Sequence, residues 1–116
     1  MRSRFLLAAA MVLATGSAAF GAATGDQIRA AITDATVTGN MDASGPYAEF
    51  YQADGAIKGK DYAGTWTIVD DTMCFAYPDT PTKCYAVEID GDQVRWLKDG
   101  KSLGTGTIVK GNGNGF

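Results

Sequence analysis

The stretch GTWTIVDDTMCFAYPDTPTKCYAVEIDGDQVRWLKDG, from Gly64 to Gly100, decides the fold. Runs rich in Val, Ile, Thr, Tyr, Phe and Trp alternate here with turn signals at Asp70-Asp71, Pro78-Asp79-Thr80-Pro81, Asp90-Gly91 and Asp99-Gly100. That alternation predicts an antiparallel meander. A turn at Asp70-Asp71 sets Ile68 opposite Met73 and Trp66 opposite Phe75. A turn centred on Asp79 sets Cys74 opposite Cys84. Asp90-Gly91 pairs Val87 with Val94 and Tyr85 with Trp96, and Asp99-Gly100 pairs Trp96 with Leu103. Side chains alternate along a strand, so one face collects Trp66, Ile68, Met73, Phe75, Tyr77, Tyr85, Val87, Ile89, Val94, Trp96 and Leu103. The other collects Thr67, Thr72, Cys74, Ala76, Thr82, Cys84, Ala86, Glu88 and Arg95. Four turns located independently thus agree on one apolar and one polar face, and the cysteines fall on the polar side.

Outward from this core the pattern continues. Turn signals recur at Asn40, Gly45-Pro46, Asp54-Gly55 and Asp61, giving about eight strands near 35–39, 47–53, 56–60, 63–69, 72–77, 82–89, 93–98 and 101–109. The three Asp-Gly pairs suit two-residue hairpin turns, because glycine accepts positive φ cheaply. Gly25 to Asp34 is the one helical candidate, with Ile28, Ala31 and Ile32 on one stripe and Asp26 in the first turn, expected to pack on or plug one end of the sheet. The fold class is therefore mainly β: an up-and-down meander closing into a small barrel, with one short N-terminal helix. A partly open sheet capped by that helix is the alternative. Closure removes the sheet edges, and strands this short predict an interior filled by side chains, with at most a shallow mouth.

The chain opens differently. Arg2 and Arg4 precede a ten-residue apolar run, Phe5 to Ala14, followed by small residues through Ala23. This is the pattern of a secretory signal, over residues 1–22 with cleavage between 19 and 23. The run is too short to span a bilayer comfortably, so no stable membrane insertion is expected after its removal. Residues 23–110 then form a single domain and 111–116 a flexible tail. The 116 residues carry 10 basic and 13 acidic side chains and no histidine. Loss of the two arginines leaves a net charge of −5. An acidic domain favours neither phosphate backbones nor anionic lipid, so nucleic acid is not an expected partner. Without histidine there is no Ser-His-Asp or Cys-His triad.

Cys74 and Cys84 are the only cysteines. Export to an oxidising periplasmic or extracellular compartment and the even count predict a structural disulfide, contributing about 2–3 kcal/mol. They form no C-x-x-C motif, and a two-cysteine zinc site would need further ligands, with no histidine to supply them.

Gly64-Thr65-Trp66, Asp71-Thr72-Met73-Cys74, Cys84-Tyr85-Ala86-Val87 and Gly111-Asn112 together resemble small exported bacterial proteins of uncharacterised function. In these a G-x-W strand precedes a C…C hairpin and a Gly-Asn closes the domain. The architecture is also similar to that of calycins: lipocalins, avidins and secreted-metalloprotease inhibitors. The resemblance implies a small barrel with one disulfide and assigns no site residue.

Chemistry is sparse. Asp54, Asp70, Asp71, Asp79, Asp90 and Asp99 sit at turns, which explains them. Asp70-Asp71 and Asp90-Gly91-Asp92 do not match a calcium loop, and no phosphate-cradling loop occurs, so neither metal nor cofactor is expected. Tyr47, Glu49, Phe50 and Tyr51 precede the first Asp-Gly turn, and Tyr62 adds to the rings. Tyr51, Trp66, Phe75, Tyr77, Tyr85 and Trp96 are the candidate aromatic residues, as core or as the lining of a mouth that stacks on a small apolar or sugar-like ligand. The expectation is an exported, monomeric, non-enzymatic barrel that binds a partner protein or small ligand. Alternatives are inhibition of a secreted protease through the segment near Ala22–Asp26, and carriage of a small apolar ligand.

Overall fold

The computed structural model describes residues 21–116. Apart from Gly21 and Ala22, the segment read as an export signal lies outside the described residues. Eight antiparallel strands follow one another up and down: β1 (Ala35–Met41), β2 (Gly45–Tyr51), β3 (Ala56–Gly59), β4 (Tyr62–Val69), β5 (Thr72–Ala76), β6 (Lys83–Asp90), β7 (Gln93–Lys98) and β8 (Lys101–Lys110). The ladder is a closed barrel, sealed by β8 against β1 from Ala35↔Lys110 to Met41↔Gly104. Closure leaves no free outer strand to pair with another chain.

Registers show which turns were legible. Trp66↔Phe75, Ile68↔Met73 and Cys74↔Cys84 pair as the turn positions predict. The β6–β7 hairpin is corrected by two residues: Val87 faces Trp96 and Ile89 faces Val94, with Asp90 opposite Gln93. Gly91, at φ 63°, is the first of the two turn residues rather than the second. A Gly-X turn is as good a hairpin closure as Asp-Gly, so the same glycine fits either register. A shift of two preserves which face each side chain occupies.

The second correction is at β7–β8. The turn is Asp99-Gly100, with both residues at positive φ (52° and 78°). A bulge then intervenes, so that Trp96 faces Gly104 and Leu103 becomes the extra residue, half-buried and outside the core. A Cβ at Gly104 would collide with Met41 and with Asn40 O of β1, so the position facing the indole has no room for a side chain. Asp54-Gly55, third, belongs to a longer loop, in which Gln52 N donates to Ala56 O at 2.8 Å.

The helix, α1 (Gly25–Ile32), starts with a capping box: Gln27 N donates to Thr24 Oγ1 at 3.2 Å and Thr24 N to Gln27 Oε1 at 2.9 Å. Gly25 N donates to Asp71 Oδ1 at 2.8 Å, tying the helix to the β4–β5 turn. Lys110 Nζ donates to the carbonyls of Ala30 and Thr33 at the other end. The helix is two residues shorter than the sequence pattern suggests. Asp34, at φ 56°, turns the chain into β1 while its backbone and carboxylate bond to Tyr51 O, Gly111 N and Ala53 N.

Ile28 and Ile32 are fully buried, so α1 plugs one end of the barrel. Above them lie Val37, Ile57, Met73, Val87 and Val94, then Trp66, Phe75 and Trp96. Each fully buried aliphatic side chain contributes about 1.5–3 kcal/mol. The Cys74–Cys84 disulfide bridges directly opposite residues, with Cα atoms 3.9 Å apart, and neither sulfur joins the core cluster. Arg95 and Glu88, also paired in register, form an ion pair on the outside at 3.5 Å. At the other extreme of the chain, Gly111 is held by Asp34 O and Thr36 Oγ1, and Asn112 bonds with both Phe116 N and Phe116 O. Among the described residues no helix is long and apolar enough to cross a membrane.

One seam of the ladder is short. β2 and β3 share two register pairs, Phe50↔Lys58 and Tyr51↔Ile57, although all four residues of β3 pair with β4.

Candidate functional site

The end opposite α1 is not filled. A mouth of about 460 Å3 opens there, within the range of small-molecule sites. Its walls come from alternate residues along β2 (Tyr47, Glu49, Tyr51), the start of β4 (Tyr62), the end of β5 and the residue just beyond (Phe75, Tyr77), β6 (Tyr85) and β7 (Trp96), with Met41 and Pro81 at the rim. The expectation of a filled interior holds for the plugged end; at this end the rings stand around a space instead of closing it.

At the wall of the mouth lies a carboxylate. Glu49 is 7% exposed, yet its oxygens accept three phenolic hydrogen bonds: Tyr51 Oη to Oε1 at 2.6 Å, Tyr62 Oη to Oε2 at 2.6 Å and Tyr77 Oη to Oε2 at 2.7 Å. Short O–H donation to a carboxylate is the strong class of hydrogen bond, and it offsets the desolvation of a buried charge. The tyrosines respond in turn. Burial first, then the Glu49 charge, pushes the phenols of Tyr51 and Tyr77 well above their usual range. Tyr62 is raised as well, by desolvation and by its bond to Glu49.

A second polar device is built on Tyr47, two residues before Glu49 on β2. Trp96 Nε1 donates to Tyr47 Oη at 2.8 Å, and Tyr47 Oη donates to Thr105 O at 3.0 Å. Burial pushes the Tyr47 phenol up to about 12, with the indole bond acting against that rise. The Tyr47 hydroxyl stands over Gly106 of β8, where a Cβ would collide with it and with Val37. Gly64 plays the same part beneath Tyr77, whose ring lies where a side chain at that position would go. The glycine of Gly64-Thr65-Trp66 thus makes space for one wall of the mouth, while the tryptophan of the same motif belongs to the filled layer below.

Phe75 forms the floor, edge-on to Tyr51, Tyr85 and Trp96 at ring-centroid distances of 6.0, 5.7 and 5.4 Å. Of the six aromatic candidates, Tyr51, Phe75, Tyr77, Tyr85 and Trp96 therefore share the mouth. Trp66 does not: it packs edge-on Tyr51 at 6.3 Å and donates from Nε1 to Gln52 O at 2.9 Å. The residue that sequence reasoning left without a role is Glu49. The alternation Tyr47-x-Glu49-x-Tyr51 does carry a signal, since it places an acid on the same strand face as two rings.

Among the described residues Glu49 is the only acidic side chain lining the mouth, so no pair of carboxylates of the kind acid–base catalysis commonly uses is assembled from them there. Among the described residues no cluster of three or more His, Cys, Asp or Glu could hold a metal ion. The segment considered for protease inhibition is docked: Ala23 is 6% exposed and its N–H donates to Val87 O at 2.7 Å. Comparison with protein-family models, curated proteins and solved structures finds no match.

Proposed function

We propose that the protein is a non-enzymatic binding module of the periplasm or extracellular space, whose barrel mouth takes one small ligand with an apolar body. The observation that carries this reading is the ring-lined mouth of about 460 Å3 at the unplugged end. Large rings at a concave site offer stacking area, and a few placed polar groups fix orientation. The disulfide suits an oxidising compartment. The eight-stranded up-and-down closure supports the likeness to calycins, many of which use the open end of a barrel in this way. Binding through the mouth has more support than protease inhibition through the docked segment at Ala23.

The test is native mass spectrometry of the protein purified from its own compartment, with Trp96→Phe beside it. The reading expects a bound mass of small-molecule size that is reduced in the variant. An unliganded spectrum, together with no thermal shift across a small-molecule library, would end it.

A further inference from the structure

The Glu49 carboxylate, held in an aromatic mouth by three tyrosine hydroxyls, has no lysine or arginine paired with it among the described residues. Buried charges in proteins are ordinarily paired, because desolvation of an ion is expensive. Hydroxyl dipoles lower that expense but leave the negative charge in place. A carboxylate has about four acceptor positions. Here Oε2 takes two hydroxyls and Oε1 takes one, so Oε1 has a position to spare. Tyr51, Tyr62 and Tyr77 hold their protons more tightly than free phenols do, and among the described residues Glu49 is the one acidic side chain lining the mouth. Among the described residues Lys83 is the only other charged side chain lining the mouth; it is exposed and makes no ion pair with Glu49.

We propose that the ligand of the mouth is an organic ammonium ion, its cationic head directed to Glu49 and its apolar body against Phe75, Tyr85 and Trp96. Three physical features converge on that class. A negative charge in a site of reduced dielectric attracts a monocation more strongly than it would in water. The faces of tyrosine, phenylalanine and tryptophan attract cations through their quadrupoles, the indole most. A divalent metal would find one carboxylate where several oxygen ligands are required. An anionic ligand would meet the same carboxylate as a repulsive neighbour. The inference rests on the mouth-binding reading and adds the sign of the ligand's charge.

Phenethylammonium, 2-phenylethanol and phenylacetate share a phenyl ring and a short chain and differ in charge. Calorimetric titration of the full disulfide-bonded protein with each should show saturable binding of phenethylammonium, about tenfold or more tighter than 2-phenylethanol, and no binding of phenylacetate. A tenfold preference corresponds to about 1.4 kcal/mol, a modest demand on one partly buried charge pair. Glu49→Gln should bring phenethylammonium and 2-phenylethanol to equal affinity. Lys83→Gln, an exposed rim change, should tighten phenethylammonium a few-fold and so reports on charge even if Glu49→Gln fails to fold.

Equal binding of phenethylammonium and 2-phenylethanol by the unmodified protein would overturn the charge assignment and leave the mouth as a neutral site. Preference for phenylacetate would overturn it too. Binding of none of the three, at concentrations where a free-standing aromatic cleft would fill, would count against the mouth reading itself.

Discussion

Gly106 of β8 lies under the hydroxyl of Tyr47, at a spot where a methyl group would overlap both the phenol oxygen and a methyl of Val37. The relationship links an unremarkable strand glycine to the mouth. Tyr47 can bridge Trp96 Nε1 to Thr105 O only while that position has no side chain. Gly106→Ala should therefore destabilise the barrel by about 1–3 kcal/mol, the usual effect of overfilling a packed site. It should also alter the tryptophan emission as the indole N–H loses its partner. Urea unfolding followed by fluorescence reads both, and unchanged stability with an unchanged spectrum would contradict this geometry.

The three donors to Glu49 differ in how far water can replace them. Tyr51 is 1% exposed and Tyr62 is 44% exposed. Tyr51→Phe should cost about 1.5–3 kcal/mol, the range for a hydrogen bond to a charged group. Tyr62→Phe should cost less, because solvent can reach the vacated oxygen position. Chemical denaturation of the two variants side by side checks the order; a larger loss at Tyr62 would contradict it.

Alkaline pH should weaken the fold. A phenol whose folded pKa is raised binds its proton more tightly in the barrel than in the unfolded chain, whose value is 10.0. The stabilisation is complete below that value, and it declines as the pH climbs from about 10 toward the folded value, about 12 for Tyr47. Tyr51, Tyr62 and Tyr77 shift in the same direction and add to the slope. Phenolate absorbance from these residues should appear together with loss of β-sheet circular dichroism, rather than before it. A full tyrosine titration in a still-folded barrel would contradict the burial of these hydroxyls.

Reduction of Cys74–Cys84 should leave the topology in place and lower stability by about 2–3 kcal/mol. For a domain of this size that corresponds to a fall in Tm of roughly 10–20 °C. Thermal unfolding with and without reductant measures it. Loss of native circular dichroism on reduction at room temperature would mean that the barrel cannot stand on its inner packing alone.

Much of this fold is written in alternation. Trp66, Phe75, Val87 and Trp96 turn inward because their strand positions share a parity, and a two-residue error in the β6–β7 register leaves that parity intact. What alternation does not encode is local choice. Gly91 suits either of two turn frames, and nothing in the alternation marks the bulge at Leu103. Glu49 is a different case. Its inward parity is legible from Tyr47-x-Glu49-x-Tyr51, but its meaning depends on Tyr62 and Tyr77, which reach it only because distant segments are curved around to the same rim. The glycines at 64 and 106 are similar: their purpose is set by rings that arrive from elsewhere in the chain.

The abbreviated β2–β3 seam has a dynamic consequence. β2 pairs with β3 only at Phe50 and Tyr51, while Glu49, the next residue toward the mouth, is bonded by the Tyr62 and Tyr77 phenols. Widening the aperture at that point requires a ring to swing, a motion that exposed side chains complete in nanoseconds, whereas prising two strands apart is a far slower event. If the mouth takes a ligand as proposed, a guest broader than the resting opening would enter by a shutter-like movement of the Tyr62 ring, with the sheet itself staying fastened.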